Sequence, residues 1–475
     1  MQPSMFNVRV PLPDRDEVFL MNTFTDAQIL VTPDVIDLLD RVGAPESPER
    51  SDSVLSEAER TTIAELTEHG FIVPNRADER RALETYFRDI REGTDQLRVT
   101  VLTTLQCNFA CDYCIQGDHG DYNKNAAKMS LETAGRVAAW SEGRLDALKP
   151  ESFVLTFFGG EPLLNVPVMY YLAERMWASC QARGVRMLIN VITNGLLLSR
   201  DLVERLNACG LNGIKITLDG DRDTHNRMRP LRGGQGTFDK IINNVREIAH
   251  LTKVSVGGNF DMETADSYPA LLDFLREQEF ADKLARVSFK PIIREKQQPV
   301  TKGRIPLTVV GAEGKPLNGA CMTSAGTGVS RVCDDCNFVD EKMAFLREET
   351  KKRGFATVDG VHMGPCEIHK AHAHTIGPEG SLFACPGFAG EALQSIGHID
   401  GRQEEYRSHA LRQFERLSAW KQCEDCAFIP VCAGGCTVAA HNELGDMHAP
   451  NCHKTSFEAG AVALAHDAVR ELAYA

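Results

Sequence analysis

Residues 98–114 of this 475-residue chain read RVTVLTTLQCNFACDYC, an apolar and β-branched strand pattern that runs directly into three cysteines. The cysteines stand at positions 107, 111 and 114, and the next cysteine along the chain is Cys180. A closed metal site normally takes four protein ligands. A loop at this spacing can direct three thiolates at three corners of an iron–sulfur cubane and leave one iron open to a small molecule. Taken alone, the triplet also suits a zinc site or three unrelated thiols.

The strand at 98–104 is the first of a series of short runs rich in β-branched and aromatic residues, separated by helical stretches. The runs are 98–104, 152–158, 186–193, 213–218, 253–260 and 285–290. Alternating strands and helices predict a parallel α/β sheet, curved into a partial, TIM-like (β/α)6 barrel over residues 96–294. In such barrels the chemistry collects in the loops after the carboxyl ends of the strands. The three cysteines follow the first strand, so we expect them at that face.

Later strand ends carry glycines and polar residues that belong to the same face. They are FFGGEP at 157–162, ITNG at 192–195, GIKITLDGDRDTHNRMRP at 213–230 and GGNF at 257–260. Individually these signals are weak, because Asn-Gly or Asp-Gly after a strand is usually only a turn. Their order at successive strand ends is the stronger evidence for a shared site.

Together, CNFACDYC and FFGGEP resemble the radical S-adenosylmethionine (radical SAM) enzymes. The resemblance implies a [4Fe–4S] cluster on Cys107, Cys111 and Cys114 whose open iron binds S-adenosylmethionine, which is cleaved to a 5′-deoxyadenosyl radical that takes a hydrogen atom from the substrate. Glu161 would accept from the cofactor's ammonium, and Arg229 would hold its carboxylate region. The implied cofactor contacts are Tyr113, Gly159, Gly160, Glu161, Thr193, Asn194, Thr217, Asp219, Arg229 and Asn259.

Ten of the fifteen cysteines lie in residues 295–475, where the sequence shows little periodic pattern. Seven of these cysteines, with Gly380, resemble in order and spacing the SPASM extension of radical SAM enzymes. The resemblance implies two auxiliary [4Fe–4S] clusters, three clusters in all. The nearer would use Cys366, Cys385 and Cys436, and the farther Cys423, Cys426, Cys432 and Cys452. A pair of zinc sites is the alternative that spacing alone leaves open.

The nearer auxiliary cluster is then one ligand short. Cys333 or Cys336 could supply it, and Cys321 lies upstream but is expected to be a free thiol. Sulfatase-maturating relatives have an Asp base after the cysteine that corresponds to Cys385. Here Pro386 stands at that position, which counts against a sulfatase maturase.

Other cysteines and histidines are expected to be structural. Cys180 and Cys209 lie in helical stretches and are predicted to be buried thiols. His369, His372 and His374 form a run in which 372 and 374 fit one face of a strand. A structural role is expected for them, with substrate acid–base work as the alternative. The catalytic acid or base is not assigned.

The N-terminal block, residues 1–95, combines three short strand patterns with helices, one of which Ser56 could cap. It resembles the winged-helix-like leader-binding domains of peptide-modifying enzymes, which add a peptide strand to a sheet edge. The alternative is a capping domain without a ligand. The expected divisions are therefore 1–95 for this domain, 96–294 for the barrel, 295–365 for a bridging region and 366–475 for the SPASM domain.

The charge balance, 52 basic against 66 acidic residues and a net charge of −14, argues against nucleic acid or an anionic membrane as partner. There is no signal-peptide-like or membrane-spanning apolar run, so we expect a cytoplasmic protein. The resemblance implies a maturase that cross-links a ribosomal precursor peptide oxidatively through C–S or C–C bonds, with a reductant such as flavodoxin or ferredoxin. Alternatives are a protein maturase of the sulfatase type, a small-molecule dehydrogenase and a non-catalytic electron-transfer protein.

Overall fold

The computed structural model describes residues 1–43, 55–111, 113–114, 127–293, 334–358, 360–362, 364–402 and 404–474. Its strands are β1 Gln2–Pro3, β2 Asn7–Leu12, β3 Glu17–Asn22, β4 Gln28–Val31, β5 Ile72–Val73, β6 Gln96–Leu102, β7 Ser152–Phe158, β8 Arg186–Thr193, β9 Leu211–Thr217, β10 Val254–Phe260, β11 Leu284–Pro291, β12 Ala373–Ile376, β13 Ser381–Phe383 and β14 Gly397–His398. Its α-helices are α1 Pro33–Gly43, α2 Glu57–Glu68, α3 Arg76–Glu92, α4 Leu131–Leu148, α5 Val166–Arg183, α6 Arg200–Asn207, α7 Arg222–Met228, α8 Phe238–Ile248, α9 Tyr268–Arg276, α10 Asp334–Lys352, α11 Glu405–Glu415, α12 Ile429–Cys432, α13 Thr437–Ala439 and α14 Lys454–Tyr474.

The N-terminal unit is an antiparallel sheet in the order β2–β3–β4, packed on both faces. Successive side chains of β3 point to opposite faces, so Leu20 packs with the residues of α1 and α2 while Phe19 and Met21 pack against α14. Helix α2 begins as expected after Ser56, whose side chain forms a capping box with Glu59. Strand β4 has a partner on one side only and forms an edge of this sheet.

The predicted α/β barrel is confirmed in strands β6 to β11, which lie side by side in parallel and in chain order. Apolar residues on their outer faces, such as Ile214 and Ile216, are buried against the helices. Among the described residues the sheet does not close into a complete barrel, because β11 and β14 form its two edges. The inner face of the six strands is therefore concave and open.

The expectation of an irregular C-terminal region is only partly right. Strand β12 pairs in parallel with β6, and β13 and β14 add antiparallel strands, so the barrel sheet extends to nine strands. Helix α14 spans 21 residues and packs on both the N-terminal sheet and α10. The Ala-rich sequence of α14 is helical. The strand pattern at His372 and His374 corresponds to β12, which contains His374, whereas β13 and β14 were missed because they have only three and two residues. No described helix is long and apolar enough to cross a membrane.

Histidine 374 lies on β12 in register with Val99, and its ring meets the edge of Trp140 at a centroid distance of 5.2 Å. Both ring nitrogens are buried without a hydrogen-bond partner in the described structure. Burial, with the charges of Arg144 and His372, lowers the pKa of His374 from 6.5 to about 3. This confirms a structural rather than solvent-exposed position for this member of the histidine run.

We expect His374→Phe to make the protein less sensitive to acid. His374 takes up a proton near pH 6.5 in the unfolded chain but only near pH 3 in the folded protein. The contribution of neutral His374 to stability is therefore complete above pH 6.5 and is lost as the pH falls from 6.5 toward 3. Between pH 6.5 and 5 the loss is about 2 kcal/mol. The variant should therefore show a smaller drop in melting temperature from pH 7.5 to 5 than the parent, whereas His466→Gln, at an exposed position, should not. Equal drops in parent and His374→Phe would contradict this assignment.

Candidate active site

The three-cysteine loop begins after β6 and is held against the segment that follows α7. Ala110 donates its backbone N–H to Pro230 at 2.9 Å, and Arg232 donates to Asn108 at 3.2 Å. An isolated bridge joins Phe109 to Leu231. These contacts fasten the loop at the carboxyl ends of the barrel strands, where the sequence pattern predicted the chemistry.

The thiols of Cys107, Cys111 and Cys114 are close enough to influence one another electrostatically. The pKa of Cys107 is raised to about 12, mainly by burial. The neighbouring charges of Glu161, Cys111 and Cys114 also raise this pKa, whereas the hydrogen bond from the N–H of Phe109 lowers it. Ionising three neighbouring thiols together is costly unless a positive charge lies beside them. A cationic metal centre supplies that charge and binds thiolates, so the three cysteines fit such a centre. Within the described residues, no three His, Cys, Asp or Glu side chains are arranged to close on a single metal ion.

The Gly-Gly-Glu turn after β7 lies directly against the start of the cysteine loop. The N–H of Gly160 donates to Thr104 at 2.9 Å, and that of Glu161 donates to Gln106 at 2.8 Å. A side chain has no room here, since a Cβ on Gly159 would lie 2.3 Å from the oxygen of Thr104 and one on Gly160 2.2 Å from that of Gln106. The two glycines thus permit the close backbone approach expected of them.

Glu161 is fully buried and joins three elements of the site. Its Oε1 accepts from the N–H of Leu163 at 2.9 Å and from the hydroxyl of Thr193 at 2.7 Å, while Oε2 accepts from the N–H of Asn194 at 2.8 Å. Burial raises the pKa of Glu161 despite these donors. A carboxylate has about four acceptor positions, so one is left for a further donor such as the predicted ammonium group.

Tyr113, Asp219, Arg229 and Asn259 form one polar cluster between the cysteine loop and the ends of β9 and β10. The phenol of Tyr113 bonds to Asp219 and receives a hydrogen bond from Arg229 at 2.6 Å. Asp219 is fully buried, pairs with Arg229 at 3.5 Å, and accepts from the N–H of Asn259 at 2.7 Å. Burial raises the pKa of Tyr113 well above its ordinary value, which keeps its hydroxyl protonated. The structure thus brings together four residues from three separate sequence motifs.

His225 supports this cluster through Asp219, and it was missed by the sequence interpretation. Its Nδ1 accepts from the N–H of Asp219 at 3.1 Å, which places the ring proton on Nε2, 3.1 Å from the hydroxyl of Thr237. Thr237 donates in turn to the carbonyl of Arg229 at 2.8 Å. Both supporting side chains are buried. The only sequence signal was a histidine and a threonine flanking the arginine, and their pairing depends on the turn between α7 and α8.

The remaining predicted contacts lie at the same end of the barrel. The amide of Asn194 donates to Asn108 of the cysteine loop at 2.7 Å and contacts the sulfur of Cys107 at 3.9 Å. Thr217 ends β9, is half-buried on the concave face and is in register with Gly257 of β10. Asn108 was missed by the sequence interpretation because its partner is 86 positions away.

The C-terminal cysteines form two groups. Cys385 interacts electrostatically with Cys366 and Cys436, and burial raises its pKa to about 12. Cys432 interacts likewise with Cys423, Cys426 and Cys452, and burial raises its pKa to about 12 as well. The grouping is the one that the sequence resemblance implied. Cys333 lies outside the described residues and so does Cys321, while Cys336 lies in α10 with its side chain outside the description.

Burial of the two isolated thiols agrees with the sequence prediction. Cys180 in α5 and Cys209 before β9 are both buried in the core between the helices and the sheet. Neither lies with the three-cysteine loop or the C-terminal groups. They are therefore useful controls for the cysteines of the site.

Comparison with known proteins bears on the whole of this geometry. Residues 101–275 match the family described as the Radical SAM superfamily. The Fe-coproporphyrin III synthase of Methanosarcina barkeri is 25% identical over 193 residues, 40% of this chain and 42% of that protein. A serine-type anaerobic sulfatase-maturating enzyme of Bacteroides thetaiotaomicron is 24% identical over 355 residues, 72% of this chain and 82% of that protein.

Solved structures show the same fold. A structure of native anSMEcpe with bound AdoMet and Cp18Cys peptide superimposes with a TM-score of 0.57 at 13% sequence identity, covering 80% of this chain and 99% of that one. The match to the first of the curated relatives spans less than half of its length. Proteins of the matched superfamily use a [4Fe–4S] cluster and S-adenosylmethionine. The three-cysteine loop and strands β7 to β10 lie within the stretch, residues 101–275, that matches the Radical SAM superfamily, so this part of the chain is similar to radical SAM enzymes.

Proposed function

We propose that this enzyme is a peptide maturase that removes a hydrogen atom from a ribosomally made precursor and leads to an oxidative C–S or C–C cross-link. One observation supports this proposal above the others: a second group of thiols lies at the same end of the barrel as the three-cysteine loop. Cys385 packs into the apolar cluster that contains Leu102 and Phe158, the last residues of β6 and β7. Two redox centres around one opening suit a substrate that must lose electrons as well as hydrogen.

The residues of the three-cysteine loop would hold the first [4Fe–4S] cluster through Cys107, Cys111 and Cys114. Bound there, the cluster and S-adenosylmethionine would supply the 5′-deoxyadenosyl radical. Glu161 offers its remaining acceptor position to the cofactor's ammonium, and Asn259 and Thr217 line the concave face beside it. Arg229 already contacts Tyr113 and Asp219. We propose that it binds the cofactor's carboxylate region through the edge of the guanidinium group that these two residues leave uncovered.

The two C-terminal thiol groups would hold auxiliary [4Fe–4S] clusters. Cys366, Cys385 and Cys436 form the nearer set, with Cys333 or Cys336 as the fourth ligand or an open iron. Cys423, Cys426, Cys432 and Cys452 form a complete farther set. The nearer cluster would accept the electron that closing a cross-link releases, and a flavodoxin or ferredoxin would reduce the first cluster from outside.

The N-terminal unit is proposed to bind the leader of the precursor along β4. No described strand pairs with one edge of β4, and its four residues Gln28–Val31 are exposed or only partly buried. An extended peptide can add to such an edge through main-chain hydrogen bonds. The solved structure of anSMEcpe with bound Cp18Cys peptide supports a peptide as the substrate of this proposal.

Hydrogen–deuterium exchange tests the leader site without altering the fold. The candidate precursor is the product of a short reading frame beside the gene. On its addition, we expect slower exchange at the amides of β4 and unchanged exchange at β6, because an added strand covers only the edge. Mass spectrometry of the coexpressed peptide should show a loss of two mass units for each cross-link. Modification without protection of β4 would refute the leader site, and an unmodified precursor would refute the maturase.

A protein maturase of the sulfatase type is the second candidate, since the Bacteroides relative matches 72% of this chain. Pro386 after Cys385 argues against it, because the ring offers no acid–base group. Incubation with an unfolded sulfatase peptide separates the two functions, as only the second predicts its modification. A small-molecule dehydrogenase would turn over without any peptide, and a non-catalytic electron-transfer protein would form no 5′-deoxyadenosine.

A further inference from the structure

The concave face of the barrel carries three positive charges on neighbouring strands. Lys215 belongs to β9, while Arg286 and Lys290 belong to β11. Ser255 of β10 is in register with both Lys215 and Arg286, so all three side chains project from the same face of the sheet. We call Lys215, Arg286 and Lys290 the cationic row.

Glycine 257 lets the side chain of Lys215 cross the intervening strand. A Cβ at Gly257 would lie 2.6 Å from Cε of Lys215, so the lysine stem lies over the glycine backbone. Gly257 is in register with Ser288, the residue midway between Arg286 and Lys290. The ammonium of Lys215 is therefore directed toward the other two members of the row.

The row lies in a concave, water-accessible space. All three residues are exposed, yet burial lowers the pKa of Lys215, and the charges of Lys290 and Arg286 lower it further. A side chain that is reached by water and still surrounded by protein lies in a cavity rather than on a convex surface. The open barrel interior is that cavity.

No carboxylate among the described residues lies within ion-pairing distance of the cationic row. The chain as a whole has 14 more acidic than basic residues, so three cations gathered without a counter-charge in the described part of the chain depart from its overall balance. Keeping like charges together in a partly desolvated space costs free energy unless an anion joins them. The arrangement is that of a site for a negatively charged ligand.

We propose that the cationic row binds a carboxylate side chain of the substrate, so that the peptide segment entering the barrel carries an Asp or Glu near the modified residue. This inference rests on the proposed peptide substrate. The cofactor's own carboxylate is the other source of this chemistry. Arg286 is only the third residue of β11, far along the strand from its carboxyl end, where the cysteine loop and its neighbours lie. That position favours a substrate side chain that reaches into the barrel.

Binding measurements on the reconstituted holoenzyme with S-adenosylmethionine test the inference. The probes are three heptapeptides of Gly and Ser with two central Glu, Gln or Lys residues, and calorimetry gives their affinities. We expect the Glu peptide to bind about tenfold more tightly than the Gln peptide, because charge-assisted hydrogen bonds are the stronger ones. The double variant Lys215→Gln, Arg286→Gln should abolish this preference. Lys290 is left unchanged, since its charge also acts on Cys385.

The control is Lys240→Gln, an exposed lysine on the outer helix α8, which should keep the preference. Equal binding of the Glu and Gln peptides by the parent would overturn the inference. So would a double variant that loses affinity for S-adenosylmethionine while it keeps the preference for Glu. Failure of the proposed function is seen separately, as an absence of peptide modification by a protein that still prefers the Glu probe.

Discussion

The Cys111→Ala protein, reconstituted with iron and sulfide without oxygen, is expected to form 5′-deoxyadenosine at least about a thousandfold more slowly than the parent. Cys111 is buried beside Cys107 in the loop that β6 delivers to the barrel opening. With two thiolates left, the cluster loses a third of its protein ligands and the loop can no longer hold it. Chromatography of reactions with dithionite and S-adenosylmethionine measures the product.

The matched control is Cys180→Ala, which removes a thiol equally buried but enclosed in α5. It should lower the free energy of unfolding by about 1 kcal/mol and leave 5′-deoxyadenosine formation intact. The iron content of Cys111→Ala should fall by one four-iron cluster, and that of Cys180→Ala should not change. Full activity of Cys111→Ala would remove the basis for assigning the cluster to this loop.

Asp219→Ala is expected to slow S-adenosylmethionine cleavage about a hundredfold and to lower stability by about 3 kcal/mol, because it leaves the guanidinium of Arg229 buried without its carboxylate. Asp219 also anchors Tyr113 of the cysteine loop and the N–H of Asn259 on β10. Its loss therefore separates the cluster loop from the strand ends. Rates of 5′-deoxyadenosine formation and thermal unfolding measure the two effects.

Asp219→Asn separates the roles of charge and shape. The amide oxygen can still accept from Asn259, so the fold should survive while the affinity for S-adenosylmethionine falls. Asp221→Asn is the control two positions away, since Asp221 caps α7 and Asn caps a helix as well as Asp. Activity of Asp219→Asn equal to that of Asp221→Asn would show that the charge on Asp219 is dispensable.

Local patterns in the sequence were enough to place the barrel and the loops of the site. Six strand patterns appear at β6 to β11, because β-branched runs between helices leave few alternatives for a buried parallel sheet. The close approach at Gly159 and Gly160 also follows from local chemistry, since only glycine tolerates an oxygen so near its Cα. The resemblance to the SPASM extension likewise implied the two groups of C-terminal cysteines, whose members influence one another electrostatically in the structure.

What the sequence could not supply depends on contacts between distant segments. The bond from Asn194 to Asn108 and the support of Asp219 by His225 arise only when strand ends meet. Strands β13 and β14 were missed because they have only three and two residues and depend on pairing with β12 and with each other. The cationic row was hidden for a similar reason, because Lys215 and the two β11 residues are 71 or more positions apart in the sequence and meet only through β10.

The electron paramagnetic resonance spectrum of the reduced protein, recorded with and without S-adenosylmethionine, tests the central claim most directly. The claim is that the loop of Cys107, Cys111 and Cys114 holds an iron–sulfur cluster in which one iron has a coordination position left for the cofactor. We predict that addition of S-adenosylmethionine changes the signal of one [4Fe–4S] cluster, and that the change is absent in Cys111→Ala. A spectrum unaffected by S-adenosylmethionine, or zinc in place of iron at this loop, would contradict the account.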